Sequence, residues 1–431
     1  MSWRSSWLGA AARRLVFRLV VGDRWPPTLR AVASSEALTA IGSTNVYVHL
    51  PFCASRCPHC PYTAFVAAPA TRAAYGEALR RELAAYLARN DVPQVTSLYF
   101  GGGTPSLTPE LIEDVVRQVG PRLDAHAEVG VEVHPRDASA ALLSRLRDAG
   151  VTRVSLGIET LDPTLLRLLG RRYTPDEALA AIATARHSGF ECVDVNLIFG
   201  IPGQASESAA ADAARCAELG VDQISAYPLF SFPYTPLGRA IADGRIRPAA
   251  DRTRLAAQRR VSATCRTHDL ARSSVWSFTR PGVAPYSTVT RSDYVGFGVG
   301  AGTSVEGELR FNTFSLEAYL ASGPHRAALR LVPSDRFRRA HWVYWQIYQT
   351  RVDPRRYRER FGRDLDRDLG LPLAALRVLG LARRDADGVW TLTERGAIWV
   401  HRGQALFSLA YIDELWTRAR DDPWPATVEL R

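Results

Sequence analysis

Three cysteines, Cys53, Cys57 and Cys60, lie within eight positions directly after a short apolar run. An odd number of thiols in one tight loop is a poor arrangement for disulfides. A zinc site usually takes four protein ligands, and no second closely spaced pair follows. The other cysteines stand alone at wide intervals, at Cys192, Cys216 and Cys265. Three thiolates suit an iron–sulfur cluster in which one iron stays open to a substrate or cofactor.

The composition limits the classes of function. The chain has 431 residues, of which 46% are hydrophobic, so it can form a large core and two or three domains. All 54 basic residues are arginine, and the formal net charge is +10. The absence of lysine excludes Schiff-base and lysine general-base chemistry. The arginines do not cluster with aromatic residues, which argues against nucleic acid and leaves a small anionic substrate or an acidic carrier protein as partner.

The N-terminal extension, residues 1–44, carries Arg13, Arg14 and Arg18 inside its apolar part, which argues against a signal peptide. We predict an amphipathic helix that docks on the body of the protein, with a membrane-surface or partner contact as the alternative. No apolar run approaches about 18 residues, so no transmembrane segment is expected. A cluster held by thiolates needs reducing surroundings, which predicts a cytoplasmic protein.

Short β-rich runs alternate with helix-like stretches from residue 46 to about 230. Six such alternations predict an α/β fold with a parallel sheet, open or closed into a barrel. In these folds the chemistry lies at the carboxyl ends of the strands. The cysteine loop and the glycine run 101–103 both follow predicted strands, as this rule requires.

The pattern changes in the C-terminal part of the chain. Helices are predicted near 337–349 and 371–379, followed by a β-hairpin over 380–396 and a final helix. This order is typical of a winged-helix-like α+β domain, which either caps the first domain or binds a partner. The predicted division is therefore a barrel with a capping segment over 45–325 and a C-terminal domain over 326–431.

Six ordered motifs carry a resemblance to a known family. The cysteine spacing CxxxCxxC is similar to that of the radical S-adenosylmethionine (SAM) superfamily. The match narrows to the branch of the oxygen-independent coproporphyrinogen III oxidase and the related heme chaperone through YVHLPFC, YFGGGTPS, VEVHPR, SLGIETLDPTLLRLLGR and VDVNLIFGIPGQ. It covers about residues 45–310 and, more weakly, the C-terminal domain. The resemblance implies a partial parallel (β/α)6 barrel that binds a [4Fe–4S] cluster and SAM.

The resemblance also implies roles for individual residues. Cys53, Cys57 and Cys60 would hold three irons, and the fourth iron would chelate a first SAM. The residues assigned to cofactor binding there are Tyr47, Gly102 and Glu132, to which Gly302 is added. A carboxylate near a sulfonium cation would stabilise it, which agrees with a glutamate at this position.

This branch characteristically holds two SAM molecules. The positions matched to the second are His59, Gly103, Thr104, Glu159, Arg171, Asn196 and Phe230. Glu159 replaces an amide side chain, Asn196 an aspartate and Phe230 a small residue, so the second site is predicted to be remodelled. His59 and Glu159 are also the candidates for acid–base catalysis.

Three functions fit the resemblance: methyl or methylene transfer from the second SAM to an sp2 carbon, decarboxylation of coproporphyrinogen, and heme handling without chemistry. The first is favoured because the cluster motif continues as CPYTAF and because Trp276 and Ser277 replace an acid–histidine pair of the oxidase. The hypothesis is therefore a class C radical SAM methyltransferase or cyclopropanase of a natural-product pathway.

The partners expected from this hypothesis are a small aromatic or unsaturated natural-product intermediate and an electron donor such as a flavodoxin or ferredoxin. Flat substrates bind in pockets lined by aromatic side chains. The candidates for such a lining, with core packing as the alternative, are Trp276, Phe278, Tyr286, Tyr294 and Phe297.

Overall fold

A computed structural model describes residues 26–32, 43–89, 94–285, 293–306, 308–324 and 326–430. The side chains of 43 and 403–411 are not described. The predicted N-terminal amphipathic helix and Tyr286 lie outside the described residues. Within the described ranges, no helix combines the length and the apolarity that crossing a membrane requires.

The elements are numbered in chain order. The strands are β1 (Thr28–Ala31), β2 (Ser43–Leu50), β3 (Gln94–Gly102), β4 (Leu123–Val133), β5 (Arg153–Glu159), β6 (Cys192–Phe199), β7 (Gln223–Pro228), β8 (Ala271–Arg272), β9 (Ser277–Thr279), β10 (Tyr294–Phe297), β11 (Gly302–Val305), β12 (Glu308–Asn312), β13 (Ala327–Leu331), β14 (Arg351–Val352), β15 (Ala382–Arg384), β16 (Trp390–Leu392) and β17 (Thr427–Glu429). The helices are α1 (Pro69–Leu87), α2 (Pro109–Val119), α3 (Ala140–Asp148), α4 (Pro163–Leu168), α5 (Pro175–His187), α6 (Ser206–Glu218), α7 (Pro236–Ala242), α8 (Asp251–Thr267), α9 (Leu316–Ala321), α10 (Asp335–Tyr348), α11 (Pro354–Phe361), α12 (Leu365–Val378) and α13 (Glu394–Asp421).

One large sheet organises the molecule, in the order β17-β1-β13-β12-β11-β10-β2-β3-β4-β5-β6-β7-β9-β8. Strands β2 to β7 are neighbours in sequence order and pair in parallel, and helices connect them. Strand β10 adds a further parallel neighbour to β2. The predicted α/β fold with six parallel strands is confirmed.

The parallel strands have an apolar face and a polar face, because successive side chains of a strand point to opposite sides. In β2, Val46, Val48 and Leu50 belong to the main core, whereas Tyr47 and His49 lie on the other face. The main core fills the space between the apolar face and the helices α1, α2, α3 and α5. The chemistry-bearing residues of β2 therefore lie on the polar face.

The C-terminal part of the chain contributes to two sheets. Strands β13 and β17 join the large sheet, where both pair with β1. Strands β14, β16 and β15 form a separate three-stranded sheet. Around it the helices α10 to α12 pack through a second core that includes Trp342, Tyr357, Leu365 and Trp390. The predicted boundary at 325/326 thus falls between β12 and β13, which are neighbours in one sheet.

The helices predicted in this region are present with different limits. The helix predicted near 337–349 is α10, and the one near 371–379 is the second half of a longer helix, α12, that departs from helical geometry at Leu369. The predicted hairpin forms through antiparallel pairing of β15 with β16. The final helix, α13, extends over 28 residues and also contacts α8, α10 and β17.

Candidate functional site

The three cysteines lie in a loop at the carboxyl end of β2. The loop closes on itself, because the Cys53 amide donates to the Phe65 carbonyl at 3.0 Å and the Phe65 amide to the Pro51 carbonyl at 2.7 Å. Inside it, the Cys60 amide donates to the Cys57 carbonyl at 3.2 Å, which forms a tight turn. All three thiols are free and half-buried. The loop therefore presents three thiols from one closed segment at a strand end.

Burial keeps these thiols protonated in the free protein. It raises the pKa of all three, and that of Cys60 to about 12. Thiolates are the form that binds iron, so cluster assembly must release protons from these side chains. The other cysteines are completely buried in strand and helix packing, at Cys192, Cys216 and Cys265. These three cysteines therefore do not belong to the candidate cluster site.

The thiols fit a cluster better than a single ion. Among the described residues, no three histidine, cysteine or acidic side chains are placed to hold one metal ion together. In a [4Fe–4S] cluster each thiolate binds a different iron, so the three sulfurs need not converge on one point. The arrangement is consistent with the predicted ligand set.

The glycine run after β3 packs against the cysteine loop. The Gly103 amide donates to the Leu50 carbonyl and the Thr104 amide to the Phe52 carbonyl, both at 2.8 Å. A Cβ on Gly103 would lie 2.7 Å from the Phe52 oxygen, so only glycine fits there. The Thr104 hydroxyl lies 3.5 Å from the Cys53 sulfur. These contacts fix the position of the loop relative to the sheet.

Glu132, near the end of β4, is a half-buried carboxylate that faces the same region. It accepts hydrogen bonds from the Tyr99 hydroxyl at 2.7 Å and from the Gly102 amide at 3.2 Å. Burial raises the pKa of Glu132, and the nearby charge of Glu159 adds to the effect. No ion pair joins it to an arginine in the described part of the chain. A half-buried carboxylate without a paired cation fits a positively charged ligand, as SAM is.

His49 links the loop to the sheet, a role that sequence reasoning missed. Its Nε2 lies 2.8 Å from the Thr63 carbonyl and its Nδ1 lies 2.8 Å from the Tyr47 hydroxyl. The carbonyl can only accept, so Nε2 carries the proton and Nδ1 accepts from Tyr47. Burial lowers the pKa of His49 to about 4, which keeps the ring neutral. The alternation of apolar and polar residues along β2 could have indicated this role, because it places Tyr47 and His49 on the same face of the sheet.

Replacing His49 by alanine is expected to loosen the cluster loop. The change leaves the Tyr47 hydroxyl and the Thr63 carbonyl without their partner in a buried place, at a cost of about 1–3 kcal/mol in the free energy of unfolding. The reconstituted variant should lose iron to a chelator several times faster than the parent protein. A control, His126→Ala, removes an exposed histidine of β4. Equal rates of iron loss in the parent and both variants would contradict this role.

Glu159 and Arg171 form an ion pair at the carboxyl end of β5. Glu159 adopts a left-handed backbone conformation, with φ of 62°, which is uncommon for a residue with a side chain. The Arg171 Nε is buried and has no partner within the described chain. An arginine with a spare donor suits a carboxylate ligand. The assignment of both residues to a second SAM stays a prediction.

His59 lies close to this ion pair. Its Nδ1 lies 3.2 Å from the Leu169 carbonyl. Burial, together with the charge of Arg171, lowers the pKa of His59 to about 3, so the imidazole is neutral near pH 7. The Glu159 carboxylate is paired with the Arg171 guanidinium. The proposed acid–base roles of His59 and Glu159 stay predictions.

The other predicted cofactor residues lie in different surroundings. The Asn196 amide donates to the Ser155 hydroxyl at 2.9 Å on the inner face of the sheet. Gly302 begins β11, and a Cβ there would lie 3.2 Å from the Phe311 ring. No contact among the described residues brings Gly302 to the cysteine loop.

A buried carboxylate, Asp194, was not found from the sequence. It accepts hydrogen bonds from the hydroxyls of Ser155 at 2.6 Å and Ser225 at 2.9 Å, and from the Gln223 amide at 3.1 Å. Burial raises the pKa of Asp194 to about 6. The sequence could have indicated this network, because polar residues at alternate positions of β6 and β7 lie on one face of the sheet. This network holds Ser155, and through it Asn196, in place.

An aromatic cluster lies beyond the ends of β6 and β7, and the C-terminal helix α13 contributes a histidine to it. The His401 ring lies 5.5 Å from Trp276, 6.4 Å from Phe230 and 6.2 Å from Phe199, between ring centroids. Trp276 also packs on Tyr348 at 4.6 Å. Phe230, which was matched to the second SAM, and Trp276, a candidate for the pocket lining, are therefore neighbours. Sequence reasoning did not connect His401 with them.

His401 is buried and has a free nitrogen. The residue is 6% exposed, and its Nδ1 has no hydrogen-bond partner among the described residues. Burial, together with the charges of Arg254 and Arg272, lowers the pKa of His401 to about 3. The imidazole is therefore neutral near pH 7, and its lone pair can bind a metal or accept a hydrogen bond.

Comparison with known proteins identifies relatives of this chain. The family described as the Radical SAM superfamily matches residues 47–215. The heme chaperone HemW of Bacillus subtilis is 26% identical over 385 residues, which cover 86% of this chain and 100% of that protein. HemW of Mycobacterium tuberculosis H37Rv is 33% identical over 244 residues, which cover 55% of this chain and 63% of that protein.

The coproporphyrinogen oxidases are also similar. The oxygen-independent coproporphyrinogen III oxidase of Pseudomonas aeruginosa is 31% identical over 210 residues, which cover 46% of this chain and 45% of that protein. Coproporphyrinogen III oxidase (HemN) from Escherichia coli superimposes with a TM-score of 0.71 over 83% of this chain and 88% of that chain. Its identity is 24%, so this likeness shows the fold alone.

These relatives contradict the hypothesis of methyl transfer. They are named as heme chaperones and as a coproporphyrinogen oxidase, so C-methylation or cyclopropanation of a natural product by a class C enzyme is the wrong interpretation. The residues that favoured it have packing roles. Trp276 packs in the aromatic cluster, and the Ser277 hydroxyl lies 3.2 Å from that of Ser225. Their contacts therefore do not identify methyl transfer.

Proposed function

Because this chain carries the radical SAM domain over residues 47–215, we propose that it is a heme-binding member of that superfamily, which holds heme in transit. The superfamily's cofactors are a [4Fe–4S] cluster and SAM. The cluster, when bound, supplies the electron that cleaves SAM reductively. The residues described above would hold both groups in one barrel, and heme would bind beside it.

The residues around the cysteine loop would bind and orient the cofactors. Cys53, Cys57 and Cys60 would hold the cluster as thiolates after losing their protons. Glu132 would balance the positive charge of SAM, with the Tyr99 hydroxyl and the Gly102 amide keeping its carboxylate in position. These residues would form a polar cofactor site at the strand ends.

The alignment along the whole B. subtilis heme chaperone is the observation that supports heme handling. The alignment with the P. aeruginosa oxidase covers less than half of either chain. We propose that heme lies against the aromatic cluster of Phe199, Phe230 and Trp276, with His401 as an iron ligand. Aromatic rings pack well against a flat macrocycle, and histidine is a common axial ligand of heme iron.

Replacing His401 by alanine tests this assignment. Hemin titrated into the reconstituted parent protein should give a Soret band, and His401→Ala should raise the Kd for hemin about tenfold and shift the band, because an iron ligand is lost. His187→Ala is the control, since it removes an exposed histidine of α5. An unchanged Kd and band position in His401→Ala, with the thermal unfolding of the variant also unchanged, would exclude His401 as a ligand.

Decarboxylation of coproporphyrinogen is the second candidate, supported by the Glu132 carboxylate, which has no arginine partner among the described residues and would bind the sulfonium of SAM. Only the oxidase reaction consumes coproporphyrinogen, so turnover of this substrate distinguishes the two functions. Anaerobic incubation of the reduced holoprotein with SAM and coproporphyrinogen III should leave the substrate unchanged if the chain only handles heme. Formation of protoporphyrinogen IX, measured by chromatography, would assign the oxidase reaction instead.

A further inference from the structure

We propose that an arginine patch beside the cysteine loop is the docking surface for an acidic one-electron carrier protein that reduces the cluster. The patch consists of Arg56, Arg239 and Arg420, with Tyr62 and Val66 as its apolar part. This inference depends on the cysteine loop holding a cluster and not on the binding of heme.

The patch is built around a backbone oxygen next to a cluster ligand. Pro61 directly follows Cys60, and its carbonyl accepts hydrogen bonds from Arg420 Nη2 and from the Tyr234 hydroxyl, both at 3.4 Å. The Arg420 guanidinium lies 4.5 Å from the centre of the Tyr234 ring. Arg239 Nη1 donates to the Tyr234 carbonyl at 2.8 Å. Helix α13 thus brings Arg420 to the carbonyl beside Cys60, and α7 brings Arg239 to the backbone of Tyr234, whose hydroxyl contacts the same carbonyl.

The third arginine belongs to the loop itself. Arg56 lies between Cys53 and Cys57 in sequence, and it is exposed, as Arg239 and Arg420 are. Partial burial is the main reason that the pKa of Arg420 is lowered, and the positive charges of Arg56 and Arg239 add to the effect. Arg56 and Arg239 therefore both lie close enough to Arg420 for their charges to act on it.

Within the described part of the chain, these arginines form no ion pair with a carboxylate. Many other arginines pair with a carboxylate, such as Arg186 with Asp222 and Arg245 with Asp243, but none of the ion pairs found among the described residues includes Arg56, Arg239 or Arg420. Asp413 lies close enough for its charge to act on Tyr234, but it belongs to no ion pair among the described residues. A group of like charges without counterions is costly unless a partner supplies them.

Apolar side chains complete the surface. Tyr62 is 56% exposed and Val66 is 63% exposed, and both lie on the segment that closes the cysteine loop. Exposed large apolar side chains beside unpaired charges are typical of a transient protein interface. A partner that docks here lies directly over the loop that would hold the cluster.

The chemistry of the cluster indicates what the partner is. Reductive cleavage of SAM consumes one electron, which must come from outside the protein. In each encounter the reduced carrier loses one electron and the oxidised cluster gains it, with no bond formed or broken. An acidic carrier complements three arginines, and electrostatic attraction of this kind raises association rates. A short-lived complex with fast association suits a carrier that must leave after each electron.

The experiment compares two triple variants of the reconstituted holoprotein. The first carries Arg56→Gln, Arg239→Gln and Arg420→Gln, and the control carries Arg81→Gln, Arg252→Gln and Arg259→Gln, which change the same charge on exposed arginines of α1 and α8. Reduced flavodoxin and reduced ferredoxin are the probes. Stopped-flow absorbance follows bleaching of the cluster, and calorimetry measures binding of oxidised flavodoxin.

The patch variant should be reduced by both carriers at least about ten times more slowly than the parent and the control at low ionic strength, with the difference shrinking in high salt. Its iron content and its reduction by photoexcited deazaflavin should equal those of the parent, which shows an intact cluster. Parent-like rates with both carriers, or an equal loss in the control, would overturn the proposal. A loss of hemin affinity with unchanged reduction rates would assign the arginines to heme carboxylates and would also overturn it.

Discussion

Alanine at any one of Cys53, Cys57 or Cys60 is expected to leave the reconstituted protein without its brown chromophore. Each thiolate would hold its own iron, so the loss of one ligand exposes a second iron of the cluster. The expected result is loss of nearly all of the roughly four irons per chain and of the absorbance near about 400 nm. Iron analysis and visible spectra measure both.

The pH dependence of reconstitution follows from the same thiols. Burial raises the pKa of all three, and that of Cys60 to about 12, so each is protonated near neutral pH in the free protein. Cluster assembly releases these protons and becomes more favourable as the pH rises. Iron incorporation by the parent protein should therefore increase from pH 6.5 to about 8.5.

The matched controls are the three cysteines outside the loop. Cys192, Cys216 and Cys265 have no exposed surface, so alanine at each position removes a small core side chain and leaves the loop unchanged. These variants should keep the full iron content, with a lower thermal stability. An equally complete loss of the cluster in any one of them would show that the loop does not supply all of the ligands.

Glutamine at Glu132 is expected to weaken the binding of SAM by about 1.5–3 kcal/mol, the usual contribution of a hydrogen bond to a charged group. This corresponds to a rise of the Kd of roughly 10- to 100-fold. The variant keeps the size of the side chain and its bonding capacity toward Tyr99, but it no longer balances a cation. Equilibrium binding of SAM to the holoprotein measures the effect, and the iron content should stay unchanged.

The carboxylate also predicts how the affinity for SAM varies with pH. Burial raises the pKa of Glu132, so a larger fraction is protonated at low pH than for an exposed glutamate. Only the ionised form stabilises the sulfonium, so affinity should fall as the pH falls in the parent protein and vary less in Glu132→Gln. Glu77→Gln is the control, because Glu77 is 62% exposed on α1. Unchanged affinity in Glu132→Gln would remove this residue from the site.

The sequence by itself determined the parallel part of the fold and the cysteine loop. Both depend on local patterns: alternating β-rich and helical runs specify the six strands β2 to β7, and the CxxxCxxC spacing places three thiols in one loop. The cysteine loop directly follows β2, so the position of this strand in the sheet largely determines the position of the loop. The position of Glu132 near the end of β4 follows from the same local reasoning, since the ends of parallel strands lie together.

Only the tertiary structure decided which distant segments meet. His401 lies about 125 residues beyond Trp276 in the chain and packs against it because α13 contacts α8 and brings the His401 ring to Phe199 at the end of β6. Arg420 reaches the Pro61 carbonyl from the same helix. No local pattern records such contacts, because they depend on how the whole helix packs. The sequence therefore specified the cluster loop, and the packing of α13 placed His401 and Arg420 beside the barrel.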